Sequence, residues 1–484
     1  MHTRKRIAVI GSGMAGLSVS CLLARDGHEV ALFEKNWMPG GCSSSYWRKG
    51  YRFETGATTL VGLDEGMPLR HLLNQLKLDL SAEKLSIPMQ VHYGTQTITR
   101  HQELEQWIAE AEKQFGSEGQ RAFWERCFTI SKQVWHISTR QLAFPPQQLN
   151  DLWQLASRFE WQQLKSLPAA WQTVGDYLRS TGLIHNQDFV KFVDEQLLIT
   201  AQNTHNEVNM LFGATALCYT NFGNYYMPGG LIRIVELLVK YLENKGGRIY
   251  YREGVEQLQR HPGGWVLKTA ARSEQFDTVI SSIPLNNLHD LLPAGAAKSK
   301  ISKKLLPSNQ LSSALQLGIG FKPHRHYDCL HHQIHLPNPL PGIGSKSIFL
   351  SLHPANDLQR APQGHMAASV STHWHDPAAN ILENRNDAES AILEQLDQHD
   401  FIKRESIDYL HSSGPRSWEK WTGRSWGFVG GYPQYQRIKP WQMMGARVLK
   451  NNLYVCGDTT YPGQGIPGAV LSGLIAHHKF TIDL

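Results

Sequence analysis

Three glycines and two carboxylates carry the spacing from which chemistry can be read. Gly11, Gly13 and Gly16 form G-x-G-x-x-G. In such a run the first glycine permits a tight turn, the second lets backbone approach a pyrophosphate, and the third lets a helix pack closely on a strand. Glu34, eighteen residues beyond Gly16, stands where a carboxylate can accept both hydroxyls of an adenosine ribose. Near the other end, Gly457-Asp458 precedes Pro462-Gly463-Gln464-Gly465-Ile466-Pro467-Gly468. That aspartate is spaced to hydrogen-bond a sugar or ribityl hydroxyl. Two such grips at opposite ends of a chain suit one long cofactor, as FAD requires, whereas NAD alone would not need the second. Only the Gly11–Gly16 run is followed by a strand ending in an acid, so a separate NAD(P)H site is not expected.

The elements that must position these residues follow from hydrophobic patterning. Ile7-Ala8-Val9-Ile10 reads as a buried parallel strand and Met14 to Arg25 as a helix whose free N–H groups face the phosphates. Gly27 breaks that helix, and Glu29 to Phe33 returns as a second strand. The order strand, turn, helix, strand, acid is far more specific than the glycines alone. Arg4-Lys5-Arg6 before an uncharged run to Ala24 also has the look of a secretory signal, but the glycine spacing and the strand ending in Glu34 exclude it. At the far end, Asn452 to Cys456 reads as a strand with Gly457-Asp458 at its carboxyl end, followed by a helix from Ala469 to His478. No stretch is long and apolar enough to span a bilayer.

The bulk composition narrows the class. With 484 residues, 41% hydrophobic and 19% charged, the chain is ordered and too long for a single core. A net charge of +6 without any basic run excludes nucleic acid as a partner, though it favours an anionic membrane surface. The six cysteines are scattered without a C-x-x-C pair and H-E-x-x-H is absent, so no metal site and no disulfide framework is expected. A reducing cytoplasm suits them.

Between these ends, Leu69 to Leu78 reads as a helix. Residues from about 100 to 225 hold six of the fourteen tryptophans: 107, 124, 135, 153, 161 and 171. Leu149, Leu152, Trp153, Ala156 and Phe159 recur at helical spacing with polar residues opposite. Two readings stand for this region: a helical lobe packed on the rest, or an interfacial surface, since Trp and amphipathic helices favour the headgroup layer. Further on come a helix from Leu231 to Lys245 and strands at Arg248 to Tyr251 and Gly254 to Leu258. Trp265 to Thr269 makes a hairpin partner across His261-Pro262-Gly263-Gly264, and Phe276 to Ser282 is a strand. Ser312 to Phe321 and Ser347 to Leu352 read as strands and Ala388 to His399 as a helix. Thr372-His373-Trp374-His375-Asp376 reads as a loop.

These stretches are similar to the flavin-dependent carotenoid desaturases and isomerases, within the wider group that includes amine oxidases and protoporphyrinogen oxidase. Four blocks carry the resemblance: VIGSGMAGL with FEK; PGGCSSSYWRKGYRFETGATTLVGL; MPGGLIRIVELL with GGRIYYREGVEQL; and GGYPQ through NLYVCGDTTYPGQGIPGAVLSG. GATTLVGL looks most like the terminal-ring 3',4'-desaturase branch, PGQGIPGAVLSG more like the prolycopene isomerase and phytoene desaturase branches. The resemblance implies an α/β protein. A Rossmann-type FAD-binding domain of glutathione-reductase-like or amine-oxidase-like kind would be assembled from residues 1–85, 228–285 and 425–484. A helical lobe at 86–227, which one of its two readings turns toward a membrane, and a mixed-sheet substrate domain at 286–424 complete it.

The resemblance further implies non-covalent FAD, with Gly11, Gly13, Met14, Ala15 and Gly16 at the pyrophosphate and Glu34 and Lys35 toward the adenosine. Gly40, Gly41 and Ser43 would line the extended cofactor, and Val255 would meet the adenine. Gly56, Ala57 and Thr58 would approach the isoalloxazine; Gly457, Asp458, Gly465 and Ile466 would hold the ribityl and pyrimidine side. The implied reaction is dehydrogenation of a long conjugated polyene, a carotenoid first, by hydride transfer to flavin N5, with quinone or O2 taking the electrons. The rivals are a redox-neutral isomerase using reduced FAD, a polyene saturase, a lipid-carrying chaperone like the Rab GDP-dissociation inhibitors, and, further off, an amine oxidase. Hydride loss beside a polyene leaves a delocalised cation whose neighbouring proton is acidic, so a strong base is not demanded. No residue is singled out as catalytic. The expected place of work is the cytoplasm, peripherally on a membrane.

Overall fold

Ile7, Ala8 and Val9 are wholly buried because their strand has a neighbour on each side and covered faces above and below. In the computed structural model, which describes residues 4–56, 58–161, 167–379 and 385–484, six strands form one sheet. Their spatial order is Arg248–Tyr251, Glu29–Glu34, Arg6–Ile10, Thr278–Ser281, Leu453–Val455 and Arg447–Leu449. Every pair is parallel except the last. Side-chain alternation divides the sheet's two faces. Ile7 and Val9 pack with the helices Met14–Arg25, Ile232–Asn244 and Gly465–Asp483. Ala8 and Ile10 pack with Leu258, Trp265 and Leu285 on the other side. Helix Met14–Arg25 is buried almost all round, and its approach to the C-terminal helix is set by Gly473. A Cβ there would lie 2.8 Å from the Ala15 carbonyl oxygen.

The C-terminal helix begins at Gly465, four residues before its expected start. Pro467 is no obstacle there, because first-turn N–H groups have no partner inside a helix. The expected single strand from Phe276 to Ser282 is divided at Asp277. Ser273–Phe276 closes a three-stranded antiparallel meander with Val255–His261 and Gly264–Thr269, while Thr278–Ser281 enters the parallel sheet. Asp277 holds the corner: its Oδ2 accepts the Arg6 backbone N–H at 2.7 Å.

A mixed seven-stranded sheet runs Ile407–Ser413, Ser312–Phe321, Met366–His375, Ser347–Leu352, His331–His335, Met89–Tyr93 and Gln96–Arg100. Its one parallel pair joins His331–His335 to Met89–Tyr93. Thr372 to His375, expected in a loop, instead continue a ten-residue strand paired with Ser312–Phe321 from Ser312↔His375 to Phe321↔Met366. Their polar character misleads because the strand lines a cavity with hydroxyls and imidazole instead of closing a dry core.

The tryptophan-rich lobe divides between the two readings made of it. Trp107 and Trp124 are fully buried with Phe123, Phe189 and Phe192, their ring centroids 4.9 Å apart at 78°. Helix Leu149–Ser157 is turned the other way. Its carboxylate Asp151 is 0% exposed, while Leu149 is 85% and Trp153 70% exposed. The apolar face of this helix therefore turns outward, against the packed-lobe reading for this segment. Asp151 Oδ2 receives Lys479 Nζ at 2.8 Å and Arg447 Nη1 at 2.7 Å, and Arg447 Nε reaches Asp483 at 2.6 Å. This buried ion cluster ties the polar side of the helix to the cofactor half of the molecule. Among the described residues no helix is long and apolar enough to cross a membrane.

Candidate functional site

One cavity of about 1300 Å³ runs from the first glycine turn to the seven-stranded sheet. That exceeds the ~300–1,000 Å³ of an ordinary small-molecule site, leaving room for an extended cofactor and a substrate together.

At one end the three glycines do three different things. Gly11 has φ +91° and donates its N–H to the Phe33 carbonyl at 2.8 Å, which makes the turn. A Cβ on Gly13 would meet nothing within 4 Å among the described residues, so backbone is bare on the cavity side. Gly16 does not line the cavity: a Cβ there would fall 2.0 Å from the Gly11 carbonyl oxygen, and its role is helix-to-strand contact. Met14 and Ala15 open a helix with no side-chain cap, leaving its first N–H groups and positive dipole end facing the cavity. Gly40 (φ +103°) and Gly41 (φ +55°) bring a second loop over this turn, with the Gly40 N–H on the Ser12 carbonyl at 2.9 Å. Ser43 is buried beneath it. Glu34 receives the Ser12 N–H at 2.9 Å, the Ser12 hydroxyl at 2.5 Å and the Asn36 N–H at 2.8 Å. Its carboxylate thus braces the turn from the cavity wall, beside Lys35 and Val255.

Midway, the second glycine stretch arrives. Gly457 (φ +112°) donates to Ser472 Oγ at 2.8 Å, and Asp458 Oδ2 accepts from Arg424 Nη2 at 2.5 Å. Gly465 and Ile466 begin the C-terminal helix against the cavity, again without a side-chain cap. Gly56 stacks close to Cys42, whose carbonyl oxygen a Cβ there would approach to 3.1 Å. Thr58 receives a hydrogen bond from Ser351 at 2.8 Å. Ala57 lies outside the described residues.

Arg424 escaped the sequence reading, since nothing in Gly423-Arg424-Ser425 marks it and its partner Asp458 is distant in the chain. Burial works against its charge, but Asp458, and after it Cys42, hold the guanidinium pKa above its ordinary value. Burial also pushes the Cys42 thiol up, which Arg424 partly offsets. Arg424 Nη1, Ser44 Oγ, Gln202 Oε1 and Gln464 Nε2 are buried without a hydrogen-bond partner among the described residues, and all four residues line this cavity. A buried unsatisfied polar atom costs about 1–3 kcal/mol. Four on one wall, together with two helix N-termini and a cation, fit a long polar cofactor bearing a pyrophosphate.

The far end differs in chemistry. Val134, Ile199, Phe212, Ala216 and Phe349 face Gln316, Gln333, Ser347, Thr372 and His373, and among the described residues this floor carries no charged side chain. Burial pushes the His373 pKa down to about 4, so the ring is neutral at pH 7. His411 is likewise pushed down to about 4, by burial first, and it meets the Tyr46 hydroxyl at 2.6 Å. Such a floor accepts an uncharged, largely apolar molecule. Among the described residues no cluster of His, Cys, Asp and Glu could hold a metal ion.

The profile of a family described as flavin containing amine oxidoreductase matches residues 14–476. Prolycopene isomerase 1, chloroplastic, of an Oncidium hybrid cultivar is 26% identical over 98% of this chain and 84% of its own length. The 4,4'-diapophytoene desaturase (4,4'-diapolycopene-forming) of Methylomonas sp is 24% identical over 96% of this chain and 93% of its own. Among solved structures, cyclohexylamine oxidase from Brevibacterium oxydans IH-35A superposes with a TM-score of 0.63 at 11% identity, covering 99% of each chain.

Proposed function

The chain belongs to the flavin-containing amine oxidoreductase family, and from that premise we propose that it is an FAD-dependent desaturase of a long conjugated polyene, with a carotenoid as first substrate. The observation that carries this reading is the uncharged floor joined in one cavity to a glycine-rich, cation-bearing cofactor cradle. When bound, FAD supplies a two-electron acceptor for hydride from a C–H bond. We assign Gly11, Gly13, Met14 and Ala15 to its pyrophosphate, with Gly16 behind them, Glu34 and Lys35 to the adenosine side, and Val255 to the adenine. Gly40, Gly41 and Ser43 line its length. Gly56 and Thr58 approach the ring system, and Gly457, Asp458, Gly465 and Ile466 hold the ribityl and pyrimidine side. Arg424 supplies positive charge beside Asp458.

The floor then does what an apolar tunnel can do. It excludes water, aligns the chain of a polyene and presents a C–H bond in a fixed geometry, which alone lowers a barrier substantially. A redox-neutral cis–trans isomerase is the second reading, favoured by the similarity to prolycopene isomerases over nearly the whole chain. A saturase uses the same geometry in the opposite direction. The electron acceptor in the desaturase reading is a quinone or dioxygen.

A polyene of this kind has almost no aqueous concentration, so the enzyme draws it from a bilayer. The proposed contact is peripheral and cytoplasmic, made by the outward apolar face of Leu149, Leu152, Trp153, Phe159, Trp161 and Trp171. The deciding experiment is expression in bacteria loaded with lycopene, neurosporene or a hydroxylated monocyclic carotene, followed by pigment chromatography. Gained conjugation identifies a desaturase, unchanged mass with shifted retention an isomerase, and two added hydrogens a saturase. Unchanged pigment with every substrate overturns the polyene reading.

A further inference from the structure

Desaturation removes a proton as well as a hydride, and the floor, lined by uncharged side chains, holds no carboxylate of its own to take it. One buried carboxyl not used above stands behind the floor. Glu195, on helix Gln187–Ala201, is 9% exposed. Its Oε2 accepts the hydroxyl of Ser347 at 2.5 Å, and Ser347 lines the floor beside Gln333. Gln333 in turn donates to the Glu195 backbone carbonyl at 3.0 Å and to Ser347 Oγ at 3.3 Å. Gln333 also receives Gln196, which accepts from the buried Arg100 at 2.5 Å. Both residues of the Ser347–Glu195 pair are therefore held from two sides.

The other side of Glu195 opens elsewhere. It lines a second, separate cavity of about 1210 Å³, open to solvent, together with Lys191, His335 and Lys346. Ser347 belongs to the first cavity and Glu195 to the second, and the hydrogen bond between them crosses the wall.

We propose that Ser347 and Glu195 form the proton exit of the polyene desaturation, an inference that rests on the desaturase reading above. In the balanced step, a substrate C–H bond breaks and its hydride, with both electrons, leaves to FAD, which is reduced. The neighbouring C–H bond breaks, its electron pair closes the new C=C bond, and its proton passes to Ser347 Oγ. The Ser347 hydroxyl proton moves at the same time to Glu195 Oε2. Glu195 then releases it to water in the second cavity. The delocalised cation makes the substrate proton acidic, so a weak acceptor suffices; what the floor requires is an outlet.

The groups facing the carboxyl are Asp194 and Lys191 on its own helix, Ser347 and Lys346 on one strand, and Gln333 and His335 on the next. Burial first, and then Asp194, push the Glu195 pKa up, against Ser347 and Lys346. Burial pushes His335 down to about 4, so it is already neutral where the carboxyl titrates. A base must be deprotonated to work. The rate should therefore fall as pH drops through a value above the ordinary carboxylate range.

The test is anaerobic stopped-flow bleaching of the flavin by a polyene across pH, for the parent, Glu195→Gln and Ser347→Ala, with difference infrared spectra of the resting proteins. Glu195→Gln keeps the shape but accepts no proton. It should bleach about 10²-fold more slowly, in line with a lost general base, without the acid limb, and should lose a protonated-carboxyl band that titrates in the parent. Ser347→Ala should slow bleaching similarly while keeping that band, and it carries the test should Glu195→Gln fail to retain flavin. Parent-like rates and pH profile in a flavin-loaded variant overturn the proton exit and leave the desaturase reading standing. A parent whose flavin no polyene bleaches overturns both.

Discussion

Replacing Asp151 by Ala probes the strangest local arrangement in the molecule, a helix with its carboxylate inside and its indole outside. Asp151 lies 2.8 Å from Lys479 and 2.7 Å from Arg447, and the three side chains are between 0% and 3% exposed. At an effective dielectric of about 20, each attraction is worth roughly 6 kcal/mol before desolvation. Removing the anion leaves two buried cations with one remaining carboxylate, Asp483, which Arg447 reaches at 2.6 Å while Lys479 keeps only carbonyl partners. Buried pairs broken on one side cost about 3–5 kcal/mol after desolvation is counted. Asp151 also receives the Gln147 and Gln148 N–H groups at 2.7 and 3.1 Å, so the start of helix Leu149–Ser157 loosens as well. The expected result in urea unfolding followed by tryptophan fluorescence is a loss of about 3–5 kcal/mol, with amide exchange accelerated most across 147–158. Unchanged exchange in that segment, or a loss below about 1 kcal/mol, would show that the ion cluster does not hold the helix and that the reasoning from buried charge fails.

Three other outcomes are expected. Burial raises the Asp151 pKa but Lys479 and Arg447 override it, so the folded value lies below the ordinary one. The stability it contributes is present above the unfolded carboxylate value of about 4 and is lost as pH falls through the folded value; acid unfolding of Asp151→Asn should lack this component. Glu34→Ala removes charge-assisted hydrogen bonds worth about 1.5–3 kcal/mol each, and flavin content after gel filtration should drop accordingly, whereas full occupancy would show that Glu34 only braces Ser12. Changing Trp153 and Phe159 to Ser should abolish flotation with anionic liposomes at high salt more than at low salt, because the apolar attraction is not screened. Parent-like flotation by the folded, flavin-loaded variant moves the membrane face elsewhere.

How much of this was legible beforehand depended on what kind of physics each residue carries. The cofactor half was readable because few residue types can do what Gly11, Gly13 and Gly457 do, and their spacing records a backbone path. The hairpin at His261 to Gly264 and the long buried strands were readable for the same local reason. Arg424 was not, because its meaning comes from Asp458, brought to it only by the sheet. The strand ending at His375 hid behind polar side chains that face a cavity, and Met89–Tyr93 with Gln96–Arg100 was passed over inside a segment taken as helical. Periodicity in Leu149 to Phe159 correctly gave a helix with two faces. It could not say which face turns inward, since that is decided by Arg447 and Lys479, some three hundred residues away in the sequence.

The strand order of the parallel sheet also dictates a schedule. A chain leaves the ribosome N-terminus first, so Arg6–Ile10 and Glu29–Glu34 emerge long before Thr278–Ser281, and Leu453–Val455 follows well over a hundred residues later still. Until then the growing sheet has an unpaired edge along Thr278–Ser281, the kind of surface that invites aggregation, and the cradle has its first glycine turn without its second. Arg424 waits for Asp458, and the second helix N-terminus joins the cavity only once helix Gly465–Asp483 has docked. Flavin capture by both grips therefore waits until the chain through helix Gly465–Asp483 has emerged. In a cell short of flavin, released chains should keep this cradle empty and be less stable for it, because a ligand that binds only the folded state stabilises that state.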